Sequence, residues 1–190
     1  MKEVFGTLAV ILTFIGYAPY IYDTIKGKTK PHIYSWFIWA LVTSIIFALQ
    51  VLGHAGPGAY VTLASVLIFL IIFIFGMKNG QKDITKFDTV TFIISLIAIG
   101  FWIFAKQPAV SNLLIITINA LANLPTIRKS WNKPYSETLF TWEMGAVRNF
   151  LGIIALANYS LLTWLYPVTN LLLNILVSSI LIVRRKQIPA

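Results

Sequence analysis

The chain has 190 residues, of which 58% are hydrophobic and 11% charged, with a formal net charge of +9 and no cysteine. Soluble domains are about half apolar and about a quarter charged, so this composition excludes an ordinary soluble domain and predicts an all-α integral membrane protein. The missing cysteine excludes a disulfide framework and a thiolate metal site; the basic residues punctuate apolar runs instead of forming one face, which argues against a nucleic-acid partner.

A spanning helix needs about 20 mostly apolar residues. The first such segment, about 4–22, follows MKE. No small-x-small cleavage site comes after it, so it is read as a retained helix and not as a signal peptide. KGKTKP separates it from a second segment, about 33–52, and GHAGPG separates that from a third, about 59–77. After KNGQKD comes a fourth, about 88–105, the shortest of the set. KQP leads to a fifth, about 108–126, and RKSWNKP to a sixth, about 137–157. ANYS precedes the seventh, about 160–183. His32 and His54 lie near segment ends without an acidic companion. Catalytic zinc usually takes three protein ligands, so no metal or other cofactor is expected.

Lys and Arg in short loops mark the cytoplasmic side. With the N-terminus outside, twelve of the 15 Lys and Arg residues fall inside, Lys2 and Lys106 fall outside, and Arg148 lies within the sixth segment. That bias requires an odd number of spans and supports seven, N-terminus out and C-terminus in. Short loops and the retained first helix favour a bacterial-type inner membrane.

The chain also repeats itself. PYIYDTIKGKTKPHIYSW, Pro19 to Trp36, and PTIRKSWNKPYSETLFTW, Pro125 to Trp142, share the same proline-to-tryptophan spacing. The same offset places Tyr60 on Tyr166 and Lys78 on Arg184. The reading is 3+1+3: a triple-helix repeat over 1–78, a linker-helix region over 79–107 and a second triple-helix repeat over 108–190. One inverting helix makes the repeats parallel, one of the known transporter plans. A proline near the inner end of the first helix, a short basic loop and a twin triple-helix repeat resemble the PQ-loop and SWEET superfamily of solute carriers, as a bacterial member. The family's Pro-Gln pair falls on Pro19-Tyr20 and Pro125-Thr126. Its third-helix pocket Asn falls on Asn170 in one half and Ala64 in the other, and its pocket Trp on Ala48 and Ile154. The resemblance implies the fold and a small solute as cargo.

Residues at i, i+4 and i+7 share a helix face. Asn112, Asn119 and Asn123 make one stripe on the fifth segment, and Thr163, Asn170, Asn174 and Ser178 another on the seventh. On the sixth, Thr141, Trp142, Gly145, Arg148, Asn149 and Gly152 fall within an arc of about 120°, with Glu143 opposite. The first half has Thr13 and Tyr17 where the second has Asn119 and Asn123, and Val42 and Thr43 where it has Arg148 and Asn149. At about 1.5 Å rise per residue, Arg148, Asn119, Asn170 and Asn174 lie near the bilayer middle, where transporter sites of this plan lie.

A central Arg costs at least about 2.5–3.5 kcal/mol to insert. It can snorkel, pair with Glu143, or face a wet cavity and bind a solute. A guanidinium suits a carboxylate or phosphate. The expected substrate site is Arg148, Asn119, Asn170 and Asn174, with Asn149 and Asn123 nearby; each Asn has interhelical glue as its competing role. Pro19 and Pro125 kink or end their helices and become pivots if the halves rock. Trp36 and Trp142 are expected as anchors at the inner interface. Of the six acids, Glu3, Asp23, Asp83, Asp88, Glu137 and Glu143, only Glu143 falls deep in a segment. No P-loop and no nucleophile–base motif is present, which argues against an enzyme and an ATP-driven pump. The expectation is a membrane carrier, by alternating access, of a small polar solute, anionic or zwitterionic, or a sugar. The alternative is a receptor or assembly subunit that binds without transporting.

Overall fold

The computed structural model describes residues 1–80, 84–104 and 108–189, without the side chains of 101–109, 111 and 112. Lys82, Asp83, Lys106 and the Asn112 side chain lie outside the described residues. Within them the chain is all helical. The α-helices are α1 (Lys2–Ile25), α2 (Ile33–Leu52), α3 (Tyr60–Asn79), α4 (Lys86–Phe104), α5 (Pro108–Asn132), α6 (Leu139–Ala155) and α7 (Leu161–Gln187). Short 3-10 turns at Gly56–Ala59 and Pro134–Ser136 precede α3 and α6. Among the described residues, Lys2–Ile25, Ile33–Leu52, Gly56–Asn79 and Leu161–Gln187 are long and apolar enough to cross a membrane. The shortest α-helix is α6 at 17 residues, and not α4, which has 19.

Local chemistry sets these boundaries. Gly27, at φ +71°, turns the chain out of α1, and Pro31 keeps it extended until α2 starts. His54 and Gly56 both take positive φ in the tight turn after α2. At the start of α7, Ser160 and Thr163 form a reciprocal capping box. Thr85 and Asp88 do the same for α4: Thr85 N–H donates to Asp88 Oδ2 at 2.9 Å, and Asp88 N–H to Thr85 Oγ1 at 3.2 Å.

In the first half α3 packs on both α1 and α2; in the second α7 packs on both α5 and α6. The two groups meet where α1 lies against α6 and α2 against α5, and α4 covers α5 and α2. Six helices therefore close a ring, in the order α1, α3, α2, α5, α7, α6. The loops after α1, α3 and α5 and the end of α7 contact one another at one end. That end carries most of the positive charge. The other end is formed by Lys2, the 53–59 turn and the 156–160 turn.

The ring is filled with aromatic side chains. Trp36 packs edge-on against Trp39 at 5.0 Å, Phe69 at 5.3 Å and Tyr17 at 6.1 Å between centroids, and Trp39 meets Trp142 at 6.0 Å. The expected interfacial role of Trp36 and Trp142 is thereby corrected: both are buried in the core. The Trp142 indole N–H finds its acceptor inside the protein, at Glu137 Oε2, and so needs no headgroup.

Candidate functional site

The polar arc of α6 is its buried face: Thr141, Trp142, Gly145, Arg148, Asn149 and Gly152 all turn inward, while Glu143 is exposed on the outside. Arg148 is 5% exposed. Its Nη1 donates to Ser65 Oγ on α3 at 2.6 Å and its Nη2 to Tyr17 OH on α1 at 3.0 Å. The guanidinium carbon stands 5.1 Å from the centroid of the Tyr17 ring. Nε is buried without a partner. Pairing with Glu143 does not occur, and among the described residues no carboxylate reaches Arg148. One full positive charge therefore sits inside the ring, held only by neutral oxygens and an aromatic face.

Arg148 and Asn170 both line each of two small cavities. The larger, about 20 Å³, is lined by Tyr17, Trp39, Phe69, Asn123, Trp142, Arg148, Asn170 and Asn174. The other, about 10 Å³, is lined by Val61, Thr62, Ser65, Arg148, Asn149, Tyr166 and Asn170. Each has room for about one water. Of the sequence-predicted residues, Asn123, Asn170 and Asn174 share the first cavity with Arg148, and Asn149 lines the second. Asn119 lines neither, although it is fully buried and both its side-chain polar atoms lack a partner.

The asparagines share one habit. Asn123 donates Nδ2–H to Asn119 O at 2.8 Å, Asn149 to Gly145 O at 2.8 Å, Asn170 to Tyr166 O at 3.0 Å and Asn174 to Asn170 O at 2.7 Å. A backbone carbonyl only accepts, so these bonds fix which end of each amide is nitrogen. Gly145 leaves room for the Asn174 amide, whose Oδ1 a Cβ there would displace.

The site is sealed at both ends. At the basic end, Lys129 and Glu137 form an ion pair with both side chains 1% exposed. Glu137 also accepts from Trp142 Nε1 at 3.1 Å and from Tyr20 OH at 3.4 Å, and Lys129 Nζ donates to Lys30 O at 2.6 Å. Lys30 N–H donates to Ser136 O at 3.1 Å, and the hydroxyls of Thr29 and Thr138 meet at 2.5 Å. At the other end Ala157 N–H donates to Ala55 O at 2.9 Å and Asn158 Nδ2 to Gly53 O at 3.2 Å. There Gly58 lies so close to Leu156 and Gly152 that an added Cβ would meet their backbone at 3.0 and 3.1 Å.

A third polar cluster joins α4 to the rest. Arg128 grips Asp88 with two hydrogen bonds, at 3.0 and 2.6 Å, and His32 Nε2 stands 3.4 Å from Asp88 Oδ2. Burial pulls the His32 imidazole down to about 4, aided by the Lys129 and Arg128 cations and opposed by Asp88.

Glu143, expected opposite the polar arc, is exposed, while Glu137 and Asp88 are buried. Glu137, the first residue of the expected sixth segment, lies just before α6, and Lys129 of α5 pairs with it across the intervening turn. Tyr17 carried a signal, as the repeat-equivalent of Asn123. Ser65 carried none. Pro19 lies inside α1 and Pro125 inside α5, and neither helix breaks there. No protein family, curated protein or solved structure compared with the chain matches it.

Proposed function

We propose that the chain is a membrane carrier that passes a small polar solute with a negative charge by alternating access, through a site at Arg148. The observation that carries this reading is the buried guanidinium with a free Nε and, among the described residues, no carboxylate partner. A charge buried in that way is costly unless something pairs with it, and an intramembrane charge marks a function by default. The guanidinium fork suits a carboxylate or phosphate.

The reading extends to seven spans as two parallel three-helix repeats joined by α4. The matching packing of α3 and α7 supports it. So does the hydrogen bond between Lys30 and Ser136, which are equivalent positions of the two repeats. On the positive-inside rule the basic end faces the cytoplasm and the N-terminus lies outside. A site closed at both ends, with room for a water, favours a carrier over a receptor: its ligand is admitted only when one seal opens. Rocking of the first three helices against the last three would open each seal in turn.

The test is uptake into proteoliposomes together with thermal stability against a panel of sugars, amino acids, nucleosides and small carboxylates. A solute that is carried and that stabilises wild type but not Arg148→Gln is the expected result, because a ligand of the native state raises its stability. A solute that stabilises but is never carried would make the protein a receptor. If Arg148→Gln folds as well as wild type and no solute shifts either, the anion site is refuted.

A further inference from the structure

Resting on that reading, the geometry points to the substrate class: a hydroxylated monocarboxylate, its carboxylate on Arg148 and its hydroxyls on Asn123, Asn170 and Asn174. Three observations combine. The first is charge. The lining of the larger cavity contributes one formal charge, that of Arg148, and three amides, with no acid among the described lining residues. Burying a net charge in a low-dielectric interior is costly. A monoanion makes the occupied site neutral, a zwitterion leaves it at plus one, and a dianion overshoots.

The second is the state of the amides. Each of the three donates one N–H to its own helix. Beyond that bond an amide has an Oδ1 that accepts and a second N–H that donates, and the three side chains line the same small cavity. A group that both donates and accepts fits such a pair, and a hydroxyl does both. An ammonium only donates and would leave the remaining N–H groups unmatched. A plain alkyl chain would leave both ends of each amide dry and unpaired, at roughly 1–3 kcal/mol per group.

The third is the wall. Tyr17, Trp39, Phe69 and Trp142 close the cavity with ring faces and edges. They give a short carbon skeleton its apolar contact without adding charge. Because the closed cavity holds about one water, the solute-bound state has its helices further apart than the closed state.

The experiment is equilibrium binding of four probes to the purified wild-type protein: gluconate, sorbitol, hexanoate and threonine. They carry respectively a carboxylate with hydroxyls, hydroxyls alone, a carboxylate alone, and a zwitterion with one hydroxyl. The expected result is saturable binding of gluconate, at least about tenfold tighter than each of the other three. Arg148→Lys, which keeps the charge but loses the fork, should weaken gluconate by at least about tenfold. Asn170→Leu should weaken gluconate and leave hexanoate unchanged. Hexanoate binding as tightly as gluconate overturns the hydroxyl assignment and leaves an anion at Arg148. Threonine binding tightest overturns the charge argument and likewise leaves the site in place. Sorbitol binding as tightly as gluconate, or no binding by any probe, overturns this inference together with the anionic reading beneath it.

Discussion

Replacing Glu137 by glutamine keeps the shape of the side chain and removes its charge. Lys129 would then hold a buried ammonium with Lys30 O as its remaining strong acceptor. Exposed ion pairs contribute about 0–1 kcal/mol. This pair is 1% exposed on each side, which puts it in the other regime. Removing one partner of a buried pair costs about 3–5 kcal/mol, whereas replacing both by neutral groups is often near neutral. For a chain of this length, 1 kcal/mol moves the melting point by about 2–4 °C. Glu137→Gln is therefore expected to melt about 6–20 °C below wild type, and Lys129→Met/Glu137→Gln within a few degrees of it. The same change should loosen the basic end, where Glu137 also binds Tyr20 and Trp142. The chain has no cysteine, so a single Asn170→Cys variant reports access to the site by a membrane-impermeant maleimide. Labelling should be slow in the wild-type background and faster from the basic side with Glu137→Gln. If the single variant melts with wild type, or if the double is no better than the single, the buried-pair argument is refuted; unchanged labelling refutes the loosening of the basic end.

Other outcomes are equally specific. His32 is held near 4 instead of 6.5, so it is neutral when folded, and the unfolded chain binds more protons between those values. Stability is then full above about pH 7 and falls as pH drops towards 4, by about 3 kcal/mol from this group; denaturation midpoints against pH should lose that slope in His32→Gln. Gly145→Ala places a Cβ on Asn174 Oδ1, the mobile end of a side chain. It should fold with little loss but weaken solute binding by about fivefold to tenfold, the value of one hydrogen bond. Gly58→Ala meets backbone instead and should destabilise by about 1–3 kcal/mol, read as a lower melting point with faster labelling of Asn170→Cys from the other side. Tyr17→Phe removes the acceptor of Arg148 Nη2; it should cost about 1–3 kcal/mol in the empty protein, with part of that recovered on saturating solute.

The inward face of α6 was legible because Arg148 and Asn149 are polar in an apolar run, and 100° steps carry Thr141, Gly145 and Gly152 to the same side. The Asn stripe of α7 was legible for the same reason. Helix lengths were less so. α5 and α7 run past their apolar stretches to Asn132 and Gln187, since backbone hydrogen bonding continues where hydrophobicity stops. The packing order around the ring left no trace in the sequence. In a bilayer both the core-facing and the lipid-facing sides of a helix are apolar, so pattern does not say which neighbour a face meets. Trp36 and Trp142 were misplaced for that reason: Trp suits an interface and a core alike, and only the partners decide. Ser65 and Tyr17 reach Arg148 from α3 and α1, across 83 and 131 positions of sequence. No local periodicity encodes such a meeting.

The two seals differ in kind, and the difference bears on which one yields. Lys129 and Glu137 both belong to the second three-helix group, as does Trp142. If the groups rock apart at the basic end, the ion pair stays whole on one jaw. The bonds that break there are neutral or singly assisted, among them Tyr20 OH to Glu137, Lys129 to Lys30 O, Lys30 N–H to Ser136 O, Thr138 Oγ1 to Asp23, and Thr29 to Thr138. Water replaces each neutral bond at a net cost of about 0.5–1.5 kcal/mol and each charged one at about 1.5–3 kcal/mol. At the other end Gly58 packs on the backbone of α6 and of Leu156, and Ala55, Ala59 and Leu156 form a small apolar cluster. Water offers those groups no replacement, and separating them exposes apolar surface at about 25 cal/mol per Å². The basic seal is thus built to open into water and the other to resist it. On that ground, with the site empty, the basic end should open first, and in wild type the slow labelling of Asn170→Cys should come from that side.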